Sequence, residues 1–499
     1  MPSVSRNVVY WAGLPPSATE TLEFERRRLT VRICDATSPP DMNVARGLVF
    51  NARPPDVSAA VAGLQFMRAA LDHGLMIYLV AADDAIQAYL QRSVPVGARP
   101  RFGVSTIRIR TGDVSAHELA ENIARHDAGR PANSLLDIQV PAGVVLLPRH
   151  EFLVRRAFSD CSTISIQPLT GGRSATAFIV QATLVASEAG PRPLPFFAKI
   201  DSAPKIFLEA TNYELYALQH IPWYLRPNVD DSRSILGIEE GILVGSFVEH
   251  SESLWQAVLQ GRGRRYIHAL FEDTLMGWRS QAYRTTPTRT RIANVLRSVF
   301  SWEKVPAETV RLAAAVGNVA QPQVIWERLI SLPDHEIRMS PMHGDMHGEN
   351  VRVRNGDSII IDLANVGIGP LFADLASLEV WLAFEMPRTA LASADEARWQ
   401  KLVTELFEPG RVLRPPALAS RDQTLDWLTG CVRQTRMLAH AVCGSEVEYA
   451  TAIALYLLRR AQYVDMSVDG DQHRRAVAYY LASQIVEWLS RVPSRGTAA

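Results

Sequence analysis

Apolar and polar positions change their period several times along the chain, and each change marks a different kind of segment. Up to about residue 130, short β-rich apolar runs alternate with helical stretches, the pattern of a doubly wound α/β domain. Strands are predicted at Asn7–Trp11, Leu29–Cys34, Gly47–Asn51, Met76–Val80 and Ser105–Ile109, and helices at Thr19–Arg27, Val57–Leu71, Ala85–Gln91 and Ala116–Arg125. Gly129–Gly143 then mixes glycine, proline and polar residues around one short apolar run, which reads as a linker with a domain boundary near residue 140. Strand patterns return at Ile164–Phe178, in the run PFFAKI that ends at Ile200, and at Gly241–Glu249, with a helix starting near Phe207. From Ser251 the periodicity is helical, with candidate helices at Leu254–Leu259, Tyr266–Trp278, Thr290–Phe300, Ala307–Val316 and Val324–Leu332. A tight polar loop and an apolar strand within Met342–Ala376 interrupt it. Helical patterns near Glu379–Phe384, Glu396–Leu406, Thr424–Val442, Tyr449–Val464 and Arg475–Arg491 follow. Leu455, Leu457, Leu458 and Tyr463 are spaced as one buried face.

At 499 residues the chain can hold two or three domains with their own cores. Its 52 basic and 52 acidic residues cancel, so no global field draws it toward nucleic acid or anionic lipid. One local excess exists: Arg262 through Arg297 holds eight arginines and two acids, which reads either as a solvated face or as a surface for an anionic acceptor or acidic partner. Cys34, Cys161, Cys431 and Cys443 are scattered without C-x-x-C pairs, which argues against a zinc site or disulfide framework. No apolar stretch approaches a spanning helix or a signal peptide, and a cytoplasmic protein is the expectation.

The interrupting stretch, MHGDMHGENVRVRNGDSIIIDLANVGIGPLFADLA, carries the densest set of reactive groups. Its loop holds Asp345 and Asn350, five apart, and the strand Ser358–Ile361 delivers Asp362 at its end. D-x-x-x-x-N is the spacing of kinase catalytic loops. In phosphoryl transfer one carboxylate orients and deprotonates the acceptor, while an amide oxygen and a second carboxylate hold Mg²⁺ against the nucleotide phosphates. The alternative is a buried polar turn between helices, with an aspartate as a cap.

HGDMHGEN followed by IDLANVGIGPLFADLA resembles the motif pair of the aminoglycoside phosphotransferase and choline kinase-like family, a relative of the protein kinases. The resemblance implies a bilobal kinase-like domain over about 150–492, with an N-lobe at about 150–250 and a helical C-lobe at about 251–492. It implies Asp345 as catalytic base, Asn350 and Asp362 as metal ligands, and His343 and Asp374 as braces of the loop. His347 matches a position that is often histidine in the family, without a firm role. Lys199, in PFFAKI, falls where the family's phosphate-binding lysine would sit, and YELYALQHI resembles the helix whose glutamate pairs with it. Glu214 is favoured for that pairing because Leu218 and Ile221 then fall on its apolar side, with Glu209 as the competitor. Gly171, Gly172 and Ser174 lie in a turn that would let backbone amides approach nucleotide phosphates. The strand in Gly241–Glu249 resembles the hinge, whose backbone near Ser246 and Val248 would meet the adenine edge.

Five strands in this order also resemble a response-regulator receiver domain at 1–140. A receiver would carry its phosphoacceptor aspartate at the end of the third strand, where this chain has Asn51, and its metal-binding acids after the first, where it has Ala12 and Gly13. An amide cannot form an acyl phosphate, so the resemblance implies a pseudo-receiver that binds a partner or dimerises. Asp83 and Asp84 read as helix caps. Arg433, Arg436, His440 and His473 could reach a substrate but read as structural.

Together these readings give an ATP- or GTP-dependent phosphotransferase, with Mg²⁺, acting on a hydroxyl of an unidentified small molecule. Two alternatives stay open: a scaffold of pseudokinase plus pseudo-receiver, and a kinase acting on a protein.

Overall fold

The computed structural model describes residues 6–34, 41–51, 70, 72–80, 107–110, 115–126, 129–169, 176–185, 193–237, 239–385, 396–417, 425–464 and 471–492. The chain divides into two compact units, Met1–Thr211 with Asn228–Glu249, and Asn212–Pro227 with His250–Ala499.

The first unit holds two sheets. In the first, strands β1 (Val8–Gly13), β2 (Thr30–Ile33), β3 (Ala45–Asn51), β4 (Met76–Val80) and β5 (Ile107–Arg110) lie parallel in the order 2-1-3-4-5. This is the flavodoxin-like doubly wound order. Parallel strands are covered on both faces, which is why β1 reads VVYWA without alternation and is buried along all five residues. The edge strand β2 is largely exposed. The helix Ala116–Arg125 lays Leu119, Ala120 and Ile123 against Val9, Trp11, Val49 and Tyr78. Asn51 ends β3 half-buried, and its Nδ2 faces the Leu14 carbonyl at 3.5 Å. The helices expected at Val57–Leu71 and Ala85–Gln91, with Asp83 and Asp84, fall outside the described residues apart from Ala70.

The second sheet has the order 10-11-9-8-7-6, built from β6 (Asp137–Gln139), β7 (Cys161–Pro168), β8 (Thr176–Leu184), β9 (Leu194–Ser202), β10 (Ile235–Leu236) and β11 (Glu240–Ser246). All its pairings are antiparallel except β6 with β7. The segment read as a linker therefore supplies a sheet edge. Arg155, on the helix Pro148–Ala157, pins it by donating to the carbonyls of Asn133 at 3.0 Å and Leu136 at 2.9 Å.

The second unit is mainly helical, and three of its features bear on the site. A two-stranded ribbon pairs Met339–Met342 with Gly367–Pro370, a hairpin pairs Val351–Arg354 with Asp357–Ile360, and between them runs the polar loop. The helices Ala373–Phe384, Asp426–His440 and Glu446–Gln462 pack behind it. Arg436 is no ligand: it is buried against Glu379, donating at 2.7 Å, while Tyr449 donates to the other Glu379 oxygen at 2.8 Å. Arg433 donates to the Pro416 carbonyl and His473 meets Gln400. Leu455, Leu457 and Leu458 are fully buried, but Tyr463 is 45 % exposed, because the helix ends at Gln462 and Tyr463 turns away from its face. The expected helix at Thr290–Phe300 shortens to Ile292–Val295, since Thr288–Thr290 is spent on a strand beside His335–Ile337. No helix among the described residues is long and apolar enough to cross a membrane.

Candidate active site

The polar loop is tied down at its start, around His343 and Gly344. Gly344 has φ +76°, and a Cβ there would sit 2.4 Å from the Asn365 carbonyl oxygen, so only glycine lets the chain turn this close. The amides of His343 and Gly344 donate to the two oxygens of Asp374, at 2.7 and 3.1 Å. Asp374 is buried in the first turn of Ala373–Phe384, and burial pushes its carboxyl up while His343 and the two amides pull it back. The His343 ring is buried and its Nε2 lies 2.9 Å from the Ile361 carbonyl, which can only accept, so Nε2 carries the proton.

Asp345 follows, a third exposed. Its Oδ1 accepts from Arg459 Nη2 at 2.6 Å, and Arg459 Nη1 donates to the Gly344 carbonyl at 3.0 Å. Burial works to lower the Arg459 guanidinium, but Asp345, Tyr456 and Tyr463 together outweigh it and the net shift is upward. Oδ2 of Asp345 accepts no hydrogen bond among the described residues; His347 Nε2 lies 3.8 Å from it. His347 stacks on Trp381, and burial pushes its ring down to about 4, against the pull of Asp345.

Asn350 and Asp362 come together through the backbone. The Ile361 amide donates to the Asn350 carbonyl at 2.9 Å, which sets Asp362, the next residue, beside Asn350. The Asn350 Nδ2 donates to the Asp345 carbonyl at 3.0 Å, which turns its Oδ1 the other way. Asp362 has φ +60°, a left-handed conformation that costs a non-glycine residue energy and recurs at functional sites. Asn212 holds the following turn, donating to the carbonyls of Leu363 at 3.0 Å and Ala364 at 3.1 Å. One amide oxygen and one carboxylate are hard oxygen donors that fit Mg²⁺, which keeps its remaining positions for phosphate and water.

In the first unit, Lys199 is buried on β9 and donates to Glu209 at 2.9 Å. Glu209, which spacing ranked second, is thus one carboxylate set against the lysine. Glu214 lies on a π-helical turn, Tyr213–Ala217, that follows the helix Ala203–Asn212. The π turn carries an extra residue and shifts the helical phase, so a 3.6-residue period extended through it misplaces the apolar side. Of the two residues expected on that side, Leu218 is 42 % exposed and Ile221 is buried. Gly171, Gly172 and Ser174 fall outside the described residues. The Ser246 amide is engaged by the Asn228 carbonyl at 2.9 Å, and Val248 is half-buried.

Residues 264–414 match the phosphotransferase enzyme family, APH. No curated protein matches the chain. Among solved structures, an amicoumacin kinase is similar at 12 % identity over 64 % of this chain and 88 % of that one, with a TM-score of 0.31. A Plasmodium vivax ethanolamine kinase is similar at 10 % identity over 63 % and 81 %, with a TM-score of 0.32. A glucosamine kinase is similar at 13 % identity over 68 % and 84 %, with a TM-score of 0.33.

Arg459 belongs to the site and carries no motif. It lies outside the matched segment, near the end of a helix, where an arginine ordinarily reads as a complement to the helix dipole. Of the arginine-rich segment, Arg262, Arg279 and Arg291 form ion pairs with Glu252, Glu272 and Asp334, the pattern of a solvated face.

Proposed function

We propose that this protein transfers the γ-phosphoryl group of ATP or GTP to a hydroxyl of a small molecule. The observation that carries the reading is the state of Asp345: a carboxylate on a rigid loop, one oxygen engaged and the other open, next to Asn350 and Asp362. In this reading Lys199, oriented by Glu209, binds nucleotide phosphates, with Glu214 on the following turn. Gly171, Gly172 and Ser174 would let backbone amides approach the phosphates, and the backbone near Ser246 and Val248 would meet the base. Asn350 and Asp362 would hold Mg²⁺, which neutralises charge on the phosphate oxygens. Asp345 Oδ2 accepts the proton of the acceptor hydroxyl as that oxygen bonds to the γ-phosphorus. The bond from the γ-phosphorus to the β–γ bridging oxygen breaks, and the nucleoside diphosphate leaves with that oxygen. His343 and Asp374 act through the loop and touch no substrate.

The test is thermal melting with ATP or GTP, with and without Mg²⁺, on wild type and Asp362→Ala. Wild type should melt several degrees higher with Mg²⁺-nucleotide, and Asp362→Ala should lose the part of the shift that needs Mg²⁺. Absence of any shift with either nucleotide sinks the reading. If binding is present, Asp345→Asn should keep it and lose transfer by about 10²- to 10⁴-fold, the usual size of general-base catalysis; equal turnover would remove Asp345 as base.

The N-terminal sheet is read as a pseudo-receiver with a binding role. What supports this is the 2-1-3-4-5 order with an amide, Asn51, at the end of the third strand.

A further inference from the structure

We propose that Arg459 is a positioning residue for the catalytic carboxylate, reserving Oδ2 of Asp345 for the acceptor; this rests on the phosphotransferase reading above. Arg459 comes from a helix 114 residues further along the chain, yet it grips the loop at two points. Nη1 holds the Gly344 carbonyl at 3.0 Å and Nη2 holds Asp345 Oδ1 at 2.6 Å. A guanidinium is a planar fork, so binding a main-chain carbonyl and the next side chain together fixes the carboxylate relative to its own backbone.

The grip is itself held. Leu455, Leu457, Leu458 and Ala461, around Arg459 on the helix, are fully buried. The Tyr463 ring lies 5.8 Å from the Arg459 guanidinium carbon. The pair is only partly shielded from solvent, Asp345 and Arg459 being 31 % and 23 % accessible. Its two-point grip fixes the orientation of the carboxylate, whatever it adds to stability. A free aspartate exchanges its two oxygens by rotation about its last torsion, and a base that must meet one hydroxyl opposite a phosphorus gains from losing that freedom. With Oδ1 taken, a single oxygen faces the acceptor.

This role predicts a signature that a structural staple would not produce. Arg459→Ala should keep the Mg²⁺-nucleotide melting shift and the KM for ATP, while kcat for ADP release, with water or an added alcohol as acceptor, falls about 10- to 100-fold. Guanidinium chloride at millimolar concentration should restore part of the lost kcat to Arg459→Ala and do nothing for Asp345→Asn. Because Arg459 acts through Asp345, the double variant Asp345→Asn/Arg459→Ala should be no slower than Asp345→Asn alone. Arg459→Gln keeps most of the aliphatic stem, so a kcat loss there with an unchanged melting temperature separates positioning from loss of fold. Wild-type kcat in both Arg459 variants overturns the proposal, as does a double variant slowed by the full product of the single effects. If instead wild type neither binds nucleotide nor releases ADP, the phosphotransferase reading fails first and takes this one with it.

Discussion

Gly344 shows what one residue must supply before Asp345 can act. Its φ of +76° and the Asn365 carbonyl, 2.4 Å from where a Cβ would stand, leave no room for a side chain. Gly344→Ala should cost about 1–3 kcal/mol, from a left-handed conformation that the new residue resists. The collision with main chain should also pull the amides of residues 343 and 344 off Asp374. A melting curve reads the first effect and phosphoryl transfer the second; an alanine variant with wild-type values of both would show that the turn is not held as described. This part of the site was legible in the sequence because it is local: HGD and the asparagine five residues on lie within one loop. Arg459 was not legible, since it meets Asp345 only through tertiary packing across 114 residues. Glu209 and Glu214 mark the boundary between the two cases, because periodicity separates them only until a π turn shifts the phase.

At the scale of elements, the helices behind the loop are joined by a buried ionic knot. Glu379 on Ala373–Phe384 accepts from Arg436 on Asp426–His440 and from Tyr449 on Glu446–Gln462, and Arg436 also donates to the Leu406 carbonyl at 2.6 Å. Side-chain exposure of the ion pair is 2 % and 0 %. Burial raises the Glu379 carboxyl and Arg436 pulls it back, so removing the carboxylate charge leaves the cation uncompensated. Glu379→Gln should cost about 3–5 kcal/mol in urea unfolding, the usual penalty for orphaning one partner of a buried pair. Replacing the group together, Glu379→Leu with Arg436→Met and Tyr449→Phe, should recover most of that loss, because well-packed apolar side chains carry no desolvation penalty. If the single and triple variants are equally unstable, packing rather than charge holds these helices. The presence of these helices was readable from their apolar period. Their ends, the π turns and the ionic knot were not, because each depends on which helix faces which.

At the scale of the whole molecule, the boundary expected near residue 140 falls inside the first compact unit, which extends to Thr211. Within that unit, His73 sits against Phe152 with ring centroids 4.6 Å apart, and Arg6 donates to the His73 carbonyl at 3.2 Å. The His73 Nδ1 is buried without a hydrogen-bond partner among the described residues. Burial, with Arg156 and Arg6 nearby, pushes the ring down to about 3 from an ordinary value of 6.5. A base whose folded value lies below its unfolded value binds the proton more tightly when unfolded, so its contribution is complete above about pH 6.5 and shrinks as pH falls toward 3. Between pH 7 and pH 5 the loss attributable to His73 should be about 2 kcal/mol, from roughly 1.4 kcal/mol for each pH unit below the unfolded value. His73→Phe removes the titration and keeps a ring against Phe152. Denaturant unfolding of both proteins at the two pH values isolates the effect, with the wild-type advantage, if any, shrinking by that amount at pH 5. A His73→Phe variant that loses stability in acid as steeply as wild type would show that the ring is solvated, and that the turn before β4 and the helix Pro148–Ala157 meet less closely at Phe152 than the ring contact implies.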